Sequence, residues 1–179
     1  MADVRAAWTL QRPSLSITES AVSLSILRVM RDDVDAATEL EAAFGFAWPT
    51  RPNSLVKIGL RVAWLAPGEW AIFAPADQIF GQVTQACSGR LHHLGDLSAG
   101  RRAWRISGPA ARVLIAKGCS LDTHPRVMSE TQCAQTLLTQ VSVLMLAEPA
   151  TSTFDIVADA SFVGHLRDWF TQVSQECIA

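Results

Sequence analysis

The chain has 179 residues, a length that can bury a substantial core without disulfides or metal, so one domain is the default. At 49% hydrophobic and 18% charged residues it is too apolar for a disordered chain and poor in charge for a lone monomer, which leaves apolar surface for a partner. A formal net charge of −2 gives no overall reason to bind nucleic acid or an anionic membrane, and neither is expected as a partner.

Residues 1–22 are expected to form an N-terminal arm, since Arg5 and Arg12 flank an isolated Trp8 with no sustained periodicity. Residues 23–179 then make a single domain of two pseudo-repeat halves, about 23–97 and 98–179. In the first half, Leu24, Ile26 and Val29 alternate as in a strand between Ser23 and Arg31. The Asp32-Asp33 pair can cap a helix over about Val34–Phe44, which carries Val34, Ala37, Leu40 and Phe44 on one face and stops at Gly45. Two apolar runs, Val56–Leu65 and Glu69–Ala74, are joined by Ala66-Pro67-Gly68 as a hairpin. A helix over Asp77–Cys87 sets Ile79, Phe80 and Val83 on one face, and Leu91–Leu97 follows as a strand. Strand, helix, strand, strand, helix, strand is the ferredoxin-like order.

The second half opens after Ser98-Ala99-Gly100 with a strand over Arg101–Ser107. Gly108-Pro109 starts a helix that Gly118 closes, and residues 121–132 form a loop. Strands are expected over Ala134–Leu138, Val141–Ala147 and Thr153–Val157. The last helix carries the stripe Phe162, Val163, Leu166, Trp169, Phe170 and Val173, with Asp159 or Ser161 as its cap. The fold class is therefore α+β, with two ferredoxin-like halves that share element order and no detectable identity.

Little in the chain points to catalysis. His92, His93, His124, Cys87, Cys119 and Cys133 repeat no metal-ligand spacing, and His92 and His93 point to opposite faces of a strand. No G-x-S-x-G elbow, S-x-x-K, G-x-G-x-x-G or Walker loop occurs. The run Arg101-Arg102-Ala103-Trp104-Arg105 reads as a solvated or partner-facing edge. The cysteines, Cys177 included, form no C-x-x-C pair and the N-terminus lacks the apolar core of a secretory signal, so the expected location is the cytoplasm. Apolar stretches such as Val141–Ala147 are far below the roughly 20 residues that span a bilayer, so no membrane span is expected.

From Asp96 onward the sequence resembles the sarcosine oxidase gamma subunit family. The matching pieces are Asp96-Leu97-Ser98-Ala99-Gly100-Arg101, Ile106-Ser107-Gly108-Pro109-Ala110-Ala111-Arg112, Leu114–Asp122 with His124-Pro125, and Cys133–Leu138. Phe162, Leu166 and Trp169 close the series, and Trp64-Leu65-Ala66-Pro67-Gly68-Glu69-Trp70 fits it upstream, so the resemblance covers about Trp64 to Phe170. The family is in turn similar to the folate-binding aminomethyltransferase of the glycine cleavage system. Those enzymes follow the strand equivalent to Gln135–Leu138 with a glycine-rich turn and an acidic pair supplying the catalytic aspartate. Here Thr139-Gln140-Val141-Ser142-Val143 stands there, without glycine or acid, so aminomethyl transfer is not expected.

The resemblance implies a non-catalytic subunit of a heterotetrameric flavoenzyme that oxidatively demethylates sarcosine. Its partners would be alpha, beta and delta subunits holding FAD, FMN, NAD and folate. The competing expectation is a stand-alone module that binds tetrahydrofolate without transferring carbon, and that self-associates when isolated. Its nominated residues are Asp96 and Ser98, with Trp64 or Trp70 as a stacking face for a pterin.

Overall fold

In a computed structural model, residues 8–33, 35–129, 131–148 and 151–176 are described. Arg5, Val34 and Cys177, each named above, lie outside them. The chain divides into two compact units. One comprises Val22–Arg101 with Thr131–Gln135; the other comprises Met1–Ala21, Arg102–Glu130 and Thr136–Ala179.

The first unit follows the expected order with one strand more. It contains β3 (Ser25–Val29), α1 (Ala36–Phe44), β4 (Leu55–Ile58), β5 (Leu60–Ala66), β6 (Glu69–Ile72), α2 (Ala76–Ala86) and β7 (His92–Asp96). The strands form one sheet in the order β4-β5-β6-β3-β7, and every pairing in it is antiparallel. With β4 set aside, that is the strand order of a ferredoxin-like fold. The apolar run 56–65 is two strands and not one, because Gly59 adopts a φ of 71° and turns the chain back so that Ile58 faces Leu60.

Register explains the core of this unit. Leu27 pairs with Trp70 on one side and Leu94 on the other, Trp70 pairs with Trp64, and Ile72 pairs with Val62. Residues directly opposite share a face, so these side chains make one apolar surface. Leu40 from α1 and Ile79 and Val83 from α2 belong to the same buried cluster. Phe80 was expected on that helix face but is 58% exposed, since it lies about 100° around the helix from Ile79. Asp33 joins the start of α1 to the chain after α2, accepting from the Ala36 N–H at 3.2 Å and pairing with Arg90.

The other sheet, most of whose residues belong to the second unit, has six strands in the order β1-β2-β8-β11-β10-β9. Its strands are β1 (Thr9–Arg12), β2 (Leu15–Ala21), β8 (Arg101–Ser107), β9 (Cys133–Leu138), β10 (Val141–Glu148) and β11 (Thr153–Asp159), with helices α3 (Ala111–Gly118) and α4 (Val163–Val173). With β9, which lies between α3 and β10, set aside, the order β8, α3, β10, β11, α4 is ferredoxin-like up to its second helix, and β2 fills the place beside β8 that a final strand would take. The segment expected as an arm therefore carries two strands over Thr9–Ala21. Leu15 and Ile17 alternate inward on β2, and Glu19, the next inward position, is only 6% exposed. Its carboxylate accepts from Arg167 Nε and Nη2 of α4 at 2.7 and 2.9 Å. This bidentate pair lets a charge occupy a core-facing position.

The last helix behaves as its stripe predicts, with Leu166 and Phe170 fully buried. Asp159 accepts from the Ser161 N–H at 2.9 Å in the short 3₁₀ turn before it. Phe162 departs from the stripe at 43% exposed, because it sits in that turn and not in the helix.

Candidate functional site

Asp96 ends β7, and Ser98 begins the short 3₁₀ turn that follows it. The Ser98 N–H donates to Asp96 Oδ1 at 2.8 Å, and the Leu24 N–H donates to Ser98 Oγ at 3.0 Å. The Leu97 N–H also donates to Leu24 O at 2.8 Å, so the residues after β7 are laced to the chain entering β3. Hydrogen bonds from the Ser98 side chain and backbone hold the Asp96 carboxyl below the usual carboxylate range. It is an anion at neutral pH and a weak proton acceptor. Ser98→Ala strands the N–H of buried Leu24, and an equilibrium urea titration should show a loss of about 1–2 kcal/mol.

Trp64 and Trp70 face one another across the β5–β6 hairpin. Trp70 is 4% exposed, donates its indole N–H to Pro49 O at 2.7 Å, and meets Trp48 edge-on with ring centroids 6.2 Å apart. Trp64 is half-buried against the same cluster. The structure thus brings together Asp96 with Ser98, and Trp64 with Trp70, each pair through its own local contacts.

The other polar residues are held one by one. His92 Nδ1 lies 3.0 Å from Arg90 O, and His124 Nδ1 accepts from the Arg126 N–H at 3.2 Å. Burial pushes the Cys133 thiol up to about 11, leaving it a neutral donor near Ser54 O and Trp64 O. Cys119 Sγ lies 3.5 Å from Thr136 Oγ1. Among the described residues, no three His, Cys, Asp or Glu side chains converge as metal ligands, and no helix is long and apolar enough to cross a membrane. The arginine run lies on β8, an interior strand and not an edge. Trp104 is fully buried, while Arg105 reaches Glu148 at 2.8 Å and Asp155 at 3.2 Å, which neutralises its charge.

Thr139 and Gln140, where the sequence lacks glycine, join β9 to β10 with φ angles of 46° and 69°. Two successive left-handed residues make the tight primed turn that suits twisted strands. The Thr139 N–H donates to Gly118 O at 2.8 Å. Beyond the turn Val141 and Val143 are buried and Ser142 points outward. The side chains that follow the turn therefore pack or face solvent, and none is an acid. The missing sequence signal was an Asn-Gly or Asp-Gly pair; the two-residue gap between alternating runs was the trace that remained.

The architecture defines the class first. Aminomethyltransferase T of the glycine cleavage system from Bartonella henselae superposes with a TM-score of 0.58 at 14% identity, over 89% of this chain and 45% of that one. The fold is that of the aminomethyltransferases. Residues 30–176 match the sarcosine oxidase, gamma subunit family, and the chain belongs to it. The match reaches well upstream of Trp64. Sarcosine oxidase subunit gamma of Arthrobacter sp. is 29% identical over 140 residues, 76% of this chain and 68% of that protein. The corresponding subunit of Corynebacterium sp. (strain P-1) is 31% identical over 119 residues, 66% of this chain and 58% of its own length. Heterotetrameric sarcosine oxidase from Corynebacterium sp. U-96, solved with pyrrole 2-carboxylate, contains a chain that superposes with a TM-score of 0.82 at 24% identity, over 95% of this chain and 88% of that one.

Proposed function

We propose that this chain is a non-catalytic structural subunit of a heterotetrameric, sarcosine oxidase-like flavoenzyme that works in the cytoplasm. Its partners are the alpha, beta and delta subunits, which hold FAD, FMN and NAD and pass the carbon released from sarcosine to tetrahydrofolate. One observation carries the reading. Where an aminomethyl-transferring relative turns through glycines into an acidic pair, this chain has the Thr139-Gln140 turn followed by inward Val141, outward Ser142 and inward Val143. A carboxylate near the folate amine would be needed to move its proton, and these groups cannot do so.

The second reading, a folate pocket formed by Asp96, Ser98, Trp64 and Trp70, draws on the aminomethyltransferase fold. In the structure Asp96 Oδ1 and Ser98 Oγ each accept a backbone N–H, and Trp70 is packed in the core. A bound pterin would have to displace those contacts, so the subunit reading is favoured. Co-expression with the large flavin-binding subunits and affinity capture of one of them tests it: this chain should elute with them in equal stoichiometry. Elution of the large subunits without it would contradict the reading, and heat on titrating tetrahydrofolate into the isolated chain would favour the pocket.

A further inference from the structure

The five-stranded sheet of the first unit ends on β7. Backbone bonds fix which main-chain groups of that strand point outward. The Val29 N–H donates to Gly68 O and the Leu97 N–H donates to Leu24 O, each at 2.8 Å, so the main-chain groups of Val29 face β6 and those of Leu24 face β7. Alternation along the antiparallel ladder then turns His93, Gly95 and Leu97 toward β3, and His92, Leu94 and Asp96 away from it. Among the described residues, the N–H and C=O groups of these last three have no backbone partner. The opposite edge differs: the Leu55 N–H at the start of β4 donates to Thr131 O at 2.8 Å, and β4 carries Lys57. β7 has neither lysine nor proline, the residues that commonly blunt an open edge.

Two large apolar side chains stand exposed beside this edge. Leu91, the residue before β7, is 75% exposed, and Phe80 of α2 is 58% exposed. Gln82 Nε2 donates to Ala43 O of α1 at 3.4 Å, so that side of α2 faces α1. Phe80 lies about 160° around the helix from Gln82 and faces the other way, on the β7 side of the sheet. A second copy of β7, run antiparallel about a two-fold axis at Leu94, matches the edge. Leu94 falls opposite Leu94 and His92 opposite Asp96, all of them residues whose main-chain groups point outward. The protonated His92 imidazole then stands against a carboxylate on both sides of the axis. His93 falls opposite Gly95 at a non-hydrogen-bonded pair, where side chains come closest, and meets no side chain there.

We propose that this chain on its own forms a two-fold dimer through β7, joining two five-stranded sheets edge to edge, with Phe80 and Leu91 covered near the axis. The occupant is a second copy because the strand is complementary to itself in hydrogen-bond phase, in charge and in side-chain size. The proposal concerns the chain outside any larger assembly and does not rest on the subunit reading.

The test is sedimentation equilibrium of the purified full chain over a range of concentrations, for the wild type and for His92→Pro, His92→Glu, His92→Lys and Phe80→Ser, with a urea midpoint for each to confirm folding. The wild type should show a monomer–dimer equilibrium. His92→Pro removes an outward N–H at the first position of the strand and should leave only monomer. His92→Glu and His92→Lys both lose the contact of the imidazole with Arg90 O, so a purely structural role would move them alike. Pairing with Asp96 of the copy separates them: His92→Glu should weaken the dimer about tenfold and His92→Lys should keep it within about twofold. Phe80→Ser should weaken it about tenfold without lowering the urea midpoint. Should His92→Pro fail to fold, the Glu and Lys variants decide. A wild type that stays monomeric at every concentration would overturn the proposal, and so would a dimer that all four variants leave unchanged or that Glu and Lys loosen equally. None of these results bears on co-assembly with the large subunits, which the capture experiment above reads separately.

Discussion

Deletion of residues 1–21 is expected to unfold the unit that contains β8, α3, β10, β11 and α4. The deletion removes β2, which pairs with β8 from Ser16 opposite Ser107 to Ala21 opposite Arg102. It also removes Leu10, Leu15 and Ile17, exposed to 7%, 2% and 0%. Burial of three such side chains stabilises by about 5–9 kcal/mol, an upper figure because unfolded chains already hide some apolar area. That is comparable to the whole stability of a typical domain, about 5–15 kcal/mol. Arg167 would lose its Glu19 partner, and β8 would become an unpaired edge beside buried Trp104. Limited proteolysis with mass spectrometry of the fragments should show early cleavage within 102–129 and 136–176 in the truncated chain. A truncated chain that unfolds cooperatively at the wild-type urea midpoint would refute this account of the N-terminus.

The second large effect is expected at Gly108. Its φ of 109° lies in a region that side chains rarely adopt. A Cβ there would stand 2.5 Å from Ser14 O and 3.1 Å from the Ser14 carbonyl carbon, both of them backbone atoms that cannot swing aside. Ser14 O is also fixed as the acceptor of the Ala110 N–H at 3.0 Å, at the entry to α3. Gly108→Ala should therefore cost about 2–4 kcal/mol, the sum of an unfavourable φ and a forced backbone shift. Chemical denaturation followed by tryptophan fluorescence reads this directly, and a midpoint within about 0.5 kcal/mol of wild type would contradict it. The constraint gives a physical reason for the Ser107-Gly108-Pro109-Ala110 piece of the resemblance: only glycine lets the β1–β2 turn approach the start of the helix.

How much of this was legible in the chain follows from where each signal lies. Helical stripes identified α1, α2 and α4 because Leu40 with Phe44, Ile79 with Val83, and Leu166 with Phe170 recur at helical spacing within single elements, while α3 was read from Gly108-Pro109 at its start and Gly118 at its end. β8 could be read to its ends, since Gly100 and Gly108 bracket it. The strands β1 and β2 could not, because the alternation of Leu15 and Ile17 runs into Glu19. That position becomes core-facing only through Arg167, 148 residues away. Gly59 was hidden in an apolar run that also suits one long strand. The candidate site was legible as residue types and not as contacts: what Ser98 Oγ does depends on Leu24, 74 residues distant, and what the Trp70 indole does depends on Pro49. Such partners are set by the order β4-β5-β6-β3-β7 of the five-stranded sheet, which brings together residues far apart in the chain.

Oxygen consumption with sarcosine as the amine, measured on the purified chain alone and on the large-subunit assembly with and without it, tests the proposed role most directly. The chain alone should give no turnover above buffer, while the assembly should lose activity or heat stability when the chain is left out. Sarcosine-dependent oxygen uptake by this polypeptide in isolation would contradict the account, as would an assembly equally fast and equally stable in its absence.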